Sequence, residues 1–326
     1  MRPHFYAIIN QHAGNYRGRE IWHKIQDYII DVDIRLSVLI SSYPGAPRDF
    51  AYDLATNIPD KKSNIVILAF GGDGTLHEVL NGLIDAKRKH PLPLAYLAAG
   101  SGNDFARGAK LESARHWKEN LQELLKVDHS NNLNIGVYKL NEDPKKHYFM
   151  NSFGIGFDGT VVNASNKSKY KKSFNYVGLG AISYLISAIA TVFKAKSYSA
   201  ELKENNLQKK FPRAFLMTVT NHPYFGGGIK IAPDEKIEAH DLKLVVFQKN
   251  NLIQLIGNLL TIVFGSFQYK MKSVYSNTLK DDFSLNVDSK QLAQIDGQVL
   301  SEDYFRLNFS RTTYPFWLPD KNLKNN

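Results

Sequence analysis

Residues 64–84 read N-I-V-I-L-A-F-G-G-D-G-T-L-H-E-V-L-N-G-L-I, and this stretch decides the fold. Residues 64–70 form a nearly unbroken apolar run of strand length, as expected of a strand covered on both faces. After them Leu76, Val79, Leu80, Leu83 and Ile84 recur at helical spacing, which predicts a helix over 75–90. Between the two lie Gly71, Gly72, Asp73 and Gly74. Glycines at a strand-to-helix junction let the backbone approach a ligand closely. A helix N-terminus adds N–H groups and the positive end of the dipole, and together these make an anion site. A carboxylate beside bound phosphate is repelled unless a divalent cation lies between them, so Asp73 argues for Mg²⁺. Thr75 and Glu78 also fit a T-x-x-E capping box. The run matches neither G-x-x-x-x-G-K-[ST] nor G-x-G-x-x-G, so the P-loop and dinucleotide fingerprints do not apply.

The alternation continues outward. Residues 4–9, 34–40 and 92–98 are strand-like, and 19–30 and 48–56 are helical. Strands alternating with helices imply βαβ units, hence an α/β fold with a doubly wound, mostly parallel sheet in the N-terminal domain. Beyond about residue 130 the pattern becomes short strand candidates at 137–140, 148–153, 214–220, 242–248, 283–287, 291–295 and 305–309. These predict a β-rich, largely antiparallel second domain. The tail holds Tyr314, Phe316, Trp317 and Leu318, too apolar for a free end, so it is expected to pack on the first domain. The boundaries are therefore 1–130 plus the tail 310–326, and 131–309.

The 326 residues carry 41 Lys and Arg against 31 Asp and Glu, a net charge of +10. No cysteine is present, which excludes a disulfide framework, a thiolate zinc site and a cysteine nucleophile. The first apolar run is too short for a signal-peptide core, which places the protein in the cytoplasm. Basic residues cluster on both sides of 174–193: Lys167, Lys169, Lys171 and Lys172 precede it, and Lys194, Lys196, Lys203, Lys209, Lys210 and Arg213 follow. Residues 174–193 and 251–269 have spanning length, but their polar residues predict amphipathic helices instead.

In an open parallel sheet, ligands bind beyond the carboxyl ends of the strands. Four segments fall there: Asn10 with Gly14, Ser41 with Ser42, the Gly71–Thr75 run, and residues 98–105, which read A-A-G-S-G-N-D-F. Each alone is an ordinary turn; four on one rim are a site.

These segments resemble the diacylglycerol kinase catalytic-domain family, which includes bacterial soluble lipid kinases and sphingosine kinases. The resemblance rests on F-G-G-D-G-T-L-H-E-V-L-N-G-L from Phe70 and G-S-G-N-D-F-A-R from Gly100. It continues through N-S-F-G-I-G-F-D from Asn151, N-H-P-Y-F-G-G-G from Asn221, I-A-P from Ile231 and I-D-G-Q from Ile295, all in family order. The resemblance implies an ATP-binding α/β domain and a β-rich domain that presents a lipid alcohol. Nucleotide-binding roles then fall to Asn10, Gly14, Ser41 or Ser42, Gly71, Gly72, Gly74, Thr75, Glu78 and Ser101, with the phosphates on Gly71 to Thr75 and Ser101. Asp73 would hold Mg²⁺, and Asn103 the loop. Asp296 and Gly297 match the start of a D-G-E motif whose Glu is the proposed proton acceptor. A substrate that lives in a bilayer, with the basic clusters bracketing 174–193, predicts peripheral contact with anionic membrane; no nucleic-acid partner is expected, and a homodimer stays open.

Two departures matter. The D-G-E position holds Gln298, and an amide has no basic lone pair at neutral pH, so Gln298 orients a hydroxyl but is no general base. Asp296 or Asp73 then takes the proton, or base catalysis matters little, because phosphoryl transfer has a loose transition state. The family's Asp-Gly turn, which helps hold a structural Mg²⁺, is replaced by Ala239 and His240, with Asp241 offering a carboxylate nearby. The expected activity is ATP-dependent lipid phosphorylation. Its alternatives are a weakened relative that binds nucleotide and lipid, and a soluble-acceptor kinase of NAD-kinase type.

Overall fold

The structure, a computed structural model, describes residues 2–60, 64–167, 196–264 and 268–319. It divides into two compact units, Met1–Leu133 with Thr313–Asn326, and Asn134–Thr312.

The first unit contains β1 (His4–Ile9), α1 (Arg17–Ile29), β2 (Arg35–Ile40), α2 (Ala46–Asn57), β3 (Ile65–Gly71), α3 (Asp73–Asp85), β4 (Leu94–Ala98), α4 (Asp104–Gly108) and α5 (Trp117–Leu125). Its sheet runs β2-β1-β3-β4, all parallel. Every residue of β3 is buried, which is why that run carries no polar side chain. One face packs Phe5, Val66, Leu68 and Phe70 against Trp22 and Ile25 of α1 and Leu121 and Leu124 of α5. Alternate residues such as Ile8, Ile67 and Ala69 point to the other face, covered by α2 and α3. Phe316 pairs in parallel with Leu94, and Trp317 joins the α1–α5 core. The helix predicted over 75–90 starts earlier, at Asp73, and stops at Asp85, where Lys87 takes a left-handed φ of 52°.

The second unit contains β5 (Asn131–Leu140, its first residues in the first unit), β6 (His147–Phe149), β7 (Ser152–Gly156), α6 (Phe157–Lys167), β8 (Tyr198–Glu204), β9 (Leu207–Thr220), the short pair β10 (Tyr224–Phe225) and β11 (Ile229–Lys230), β12 (Leu242–Gln248), α7 (Leu252–Phe264), β13 (Val274–Leu279), β14 (Phe283–Val287), β15 (Gln291–Ile295), β16 (Gln298–Glu302) and β17 (Phe305–Phe316, its last residues in the first unit). The pairings β16-β15-β7-β9-β8-β14 are antiparallel, and β12 and β13 branch from β9. Phe153, Leu244, Leu285 and Phe309 fill one core, while Phe157 and Val161 of α6 and Leu255 of α7 pack with Phe215 and Phe247. The single strand predicted over 148–153 is two strands, broken at Met150 and Asn151.

Lys169, Lys171, Lys172, Lys194 and residues 174–193 lie outside the described residues. Among the described residues no helix is long and apolar enough to cross a membrane. The candidate span at 251–269 contains a helix of 13 residues, α7.

Candidate functional site

At the carboxyl ends of β1, β3 and β4 the glycine-rich loops touch backbone to backbone. A Cβ placed on Gly100 would stand 2.5 Å from Gly72 Cα, and one on Gly14 would stand 2.5 Å from the Ala99 carbonyl oxygen. Only glycines allow this approach, and Gly14 also has a positive φ of 62°. Gly71 closes on Thr75, and Gly74 opens onto empty space, with no atom within 4 Å of its added Cβ.

Side chains lock the loops together. Asn10 Nδ2 donates to Thr75 Oγ1 at 3.0 Å, while Asn10 Oδ1 accepts the His12 N–H at 3.0 Å. Asn103 Nδ2 donates to the Gly100 carbonyl at 2.8 Å. The buried Tyr96 hydroxyl lies 3.2 Å from the Gly71 carbonyl and 3.4 Å from Asn103 Oδ1. Asp73 Oδ1 accepts the Phe105 N–H at 3.1 Å, so the first residue of α3 caps α4. Ser101 is half-buried in the same loop.

The capping-box reading of Thr75 and Glu78 does not hold. Gly72 is the N-cap of α3 and makes no side-chain cap bond, while Thr75 lies inside the helix with its hydroxyl taken by Asn10. The Gly72 carbonyl accepts the N–H groups of Thr75 at 3.0 Å and Leu76 at 3.1 Å, so only the N–H groups ahead of Thr75 lack an acceptor within the helix, and α3 turns the positive end of its dipole to this rim. Beside it lies a cavity of about 400 Å³, lined among others by Asn10, His12, Ser41, Ser42, Tyr43 and Glu78. Burial holds the Glu78 carboxyl above its ordinary value, with His77 and Arg48 opposing. Asn10, Gly14, Ser41, Ser42, Gly71 to Thr75, Glu78, Ser101 and Asn103 thus share one rim of the first unit.

Asp241, Asp296 and Gln298 belong to the second unit. Asp296 is 5% exposed. Its Oδ1 accepts N–H groups from Asn151 at 2.8 Å and Ser152 at 3.1 Å, and its Oδ2 accepts that of Met150 at 2.9 Å. This carboxylate takes the amides freed where the predicted 148–153 strand breaks. Asp296 and Gly297, with φ of 49° and 88°, form the two-residue turn joining β15 to β16. Gln294 Oε1 accepts the Gly297 N–H at 2.8 Å, and its Nε2 reaches Ser152 Oγ and Asp158 Oδ2, both at 2.9 Å. Gln298 begins β16 and is exposed. The turn therefore fixes a buried Asp and offers a solvent-facing amide.

The same network includes His222, fully buried. Its Nδ1 accepts the Tyr224 N–H at 3.1 Å, which puts the ring proton on Nε2, 2.6 Å from Asn151 Oδ1. Burial pushes its pKa down to about 4, against the opposing charge of Asp296.

Asp241 has one buried Oδ1 without a hydrogen-bond partner. Mg²⁺ takes one or two carboxylates and completes its octahedron with water, so Asp241 supplies at most one protein oxygen. The neighbouring carboxylates are already engaged: the Lys243 ammonium bonds Asp234 and lies 3.7 Å from Glu235 Oε1, and the Tyr269 hydroxyl donates to Asp234 Oδ1 at 2.9 Å. Among the described residues no group of three His, Cys, Asp or Glu is arranged to hold a metal. The positive charge beside these neighbours of Asp241 is the Lys243 ammonium, which leaves the Asp241 oxygen as the one buried carboxylate oxygen among the described residues without a bond.

Tyr96, Gln294, His12, Tyr43 and the Phe105 amide escaped sequence reasoning. A tyrosine inside an apolar strand or an amide inside a β-strand carries no local mark of what it touches.

A parallel sheet ending in a glycine-built rim, in a chain with an antiparallel second unit, is joined by relatives that mark a phosphotransferase of lipid-kinase type. The chain belongs to the diacylglycerol kinase catalytic-domain family: the family model "Diacylglycerol kinase catalytic domain" matches residues 4–137 and "YegS C-terminal NAD kinase beta sandwich-like domain" matches 151–303. It is 27% identical over 307 residues to the Bacillus subtilis protein named "Putative lipid kinase YtlR", covering 93% of this chain and 96% of that one. It is also 27% identical over 288 residues to "Diacylglycerol kinase" of Staphylococcus haemolyticus, covering 86% and 79%. Its fold resembles "Crystal structure of a putative diacylglycerol kinase from Bacillus anthracis str. Sterne" at a TM-score of 0.72 and 19% identity, over 97% of this chain and 95% of that chain.

Proposed function

We propose that the protein is an ATP-dependent lipid kinase that transfers the γ-phosphoryl group of ATP to a hydroxyl of diacylglycerol or a similar membrane lipid. The observation that carries this reading is the uncapped N-terminus of α3 opening beside the cavity of about 400 Å³. The loop from Gly71 to Thr75 and the Ser101 hydroxyl cradle the phosphates, and Gly74 leaves the space they need. The cavity lined by Ser41, Ser42, Tyr43 and Glu78 takes the base and ribose. Asp73 offers a carboxylate at the mouth of the anion site, the donor type that Mg²⁺ takes. When bound, Mg²⁺ would neutralise charge on the phosphate oxygens.

In the reaction the acceptor oxygen forms a bond to the γ-phosphorus, the bond to the β-bridging oxygen breaks, and ADP leaves. Asp296 is a positioning residue, since its oxygens hold three backbone amides; it fixes the turn that projects Gln298. Gln298 orients the acceptor hydroxyl. The proton departs to the transferred phosphoryl oxygens or to water, consistent with a loose transition state. The protein works in the cytoplasm and meets the membrane surface peripherally.

Gln298 also favours a second reading, a weakened kinase that binds nucleotide and lipid. The test is radiolabelled ATP with Mg²⁺ and a panel of micellar lipid alcohols, the product identified by mass spectrometry. Phosphorylated lipid supports the first reading; nucleotide binding without turnover on any acceptor supports the second.

A further inference from the structure

A surface helix ordinarily turns apolar residues inward and polar ones outward. Helix α7 does not. Its inner side is anchored by Leu255 and Asn258, both fully buried, with Asn258 Nδ2 donating to Ser273 Oγ at 2.8 Å. Its outer side shows Ile253 at 86%, Ile256 at 38% and Leu260 at 43% exposure. At about 100° per residue these three fall within roughly 60° of one another on the helix wheel. Gly257 lies on the same stripe, with nothing within 4 Å of an added Cβ. The result is a contiguous aliphatic strip on a helix without a single charged residue.

Along the chain, the charge on either side of the strip has one sign, and the Asp234 carboxylate near it is bonded to Lys243 and Tyr269. No Asp or Glu occurs between Asp241 and Asp281, whereas Lys249 precedes α7 and Lys270 and Lys272 follow it. Lys270 and Lys272 are exposed, and the short helical turn carrying Lys270 packs against α7. An aliphatic strip flanked in the chain by lysines matches a membrane whose headgroups are negative and whose interior is apolar. A second copy of the chain fits worse, because a two-fold contact sets like surfaces together and would oppose lysine to lysine.

We infer that the outer face of α7 is the surface by which the second unit docks on an anionic bilayer, with Ile253, Ile256 and Leu260 entering the headgroup boundary and Lys270 and Lys272 holding the phosphates. This deepens the membrane-contact part of the proposed function and assigns it to a named surface.

The experiment compares the full chain with I253Q/I256Q/L260Q, with the single variant I253Q, and with K270Q/K272Q. Co-sedimentation uses vesicles of phosphatidylglycerol and phosphatidylcholine in equal parts and vesicles of phosphatidylcholine alone, at low and high salt. The triple variant is expected to bind the anionic vesicles about tenfold or more weakly, with I253Q and K270Q/K272Q intermediate and salt weakening the wild type. Melting temperature reports folding, and I253Q, almost fully exposed, keeps the test meaningful if the triple variant is unstable. Wild-type vesicle binding by I253Q together with the folded triple variant overturns the inference. So does a wild-type dimer that the triple variant dissociates while vesicle binding stays unchanged. Phosphorylation of a short-chain, water-soluble diacylglycerol separates the two claims. Failure of the wild type on every acceptor refutes the kinase reading and leaves the vesicle result to stand or fall alone.

Discussion

Asp73 Oδ1 accepts the backbone N–H of Phe105 at 3.1 Å, so the residue proposed to hold Mg²⁺ also caps α4. Two roles on one carboxylate can be separated by choice of substitution. Asp73→Asn keeps an acceptor and removes the charge; Asp73→Ala removes both. Both variants should lose phosphoryl transfer by about 10²-fold or more, the scale of removing a key electrostatic group. Only Asp73→Ala should also lose about 1 kcal/mol of stability. ATP turnover and thermal melts check this, and near wild-type turnover by Asp73→Asn would refute the assignment.

Gly74 and Gly100 give opposite expectations for the same chemical change. An added methyl at Gly100 meets Gly72 Cα at 2.5 Å, backbone on both sides, so Gly100→Ala should lower both melting temperature and nucleotide affinity. An added methyl at Gly74 meets nothing, so Gly74→Ala should keep its melting temperature and lose nucleotide affinity alone. Calorimetry with ATP, alongside a melt, distinguishes the two; unchanged affinity in Gly74→Ala places the phosphates elsewhere.

Asp296 and Gln298 adjoin the same turn but differ in burial. Asp296→Ala leaves three buried amides without an acceptor, at about 1–3 kcal/mol for each group left unsatisfied, so lost activity should come with lost stability. Gln298→Ala should leave the melt unchanged and slow transfer, and Gln298→Glu should raise the lipid-kinase rate. Silence of both Gln298 variants in an active enzyme shows that the acceptor hydroxyl is bound elsewhere.

Lys243, its side chain 7% exposed, supplies the positive charge between Asp234 and Glu235. Burial, then the charge of Asp241, pushes the Glu235 carboxyl up to about 7, while Lys243 opposes both. Lys243→Met should therefore destabilise the protein by about 1–3 kcal/mol, less than for a fully buried pair because Asp234 is exposed. Without nucleotide, EDTA should leave the wild-type melt unchanged. A melting temperature that falls with EDTA means that a divalent ion sits here after all.

His222 sets a pH dependence. Its pKa is 6.5 in the unfolded chain and about 4 in the folded one, so between these values the unfolded state binds the extra proton. Stability from the neutral ring is complete above pH 6.5 and is lost as pH falls toward 4, by about 3 kcal/mol in total. The stability gap between wild type and His222→Asn should shrink over that window. Denaturant titrations at a series of pH values measure it, and a constant gap contradicts the buried neutral ring.

What the sequence determined by itself was whatever depends on local periodicity. The run 65–70 had to be a covered strand because every residue in it is apolar, and Leu76, Val79, Leu80 and Leu83 had to face inward because their spacing is helical. The glycine motif was legible for the same reason, since a missing Cβ at a strand-to-helix junction has a local meaning. Partnership was not. That Asn10 holds Thr75, that Tyr96 braces Gly71 and Asn103, and that Asp296 gathers amides about 145 positions away are contacts between segments far apart in the chain. A hydrogen bond depends on distance and angle in space, which spacing along the chain does not specify. For the same reason the tertiary structure alone decided that the carboxylate in D-G-Q is a buried anchor and that an ammonium stands beside Asp241's neighbours.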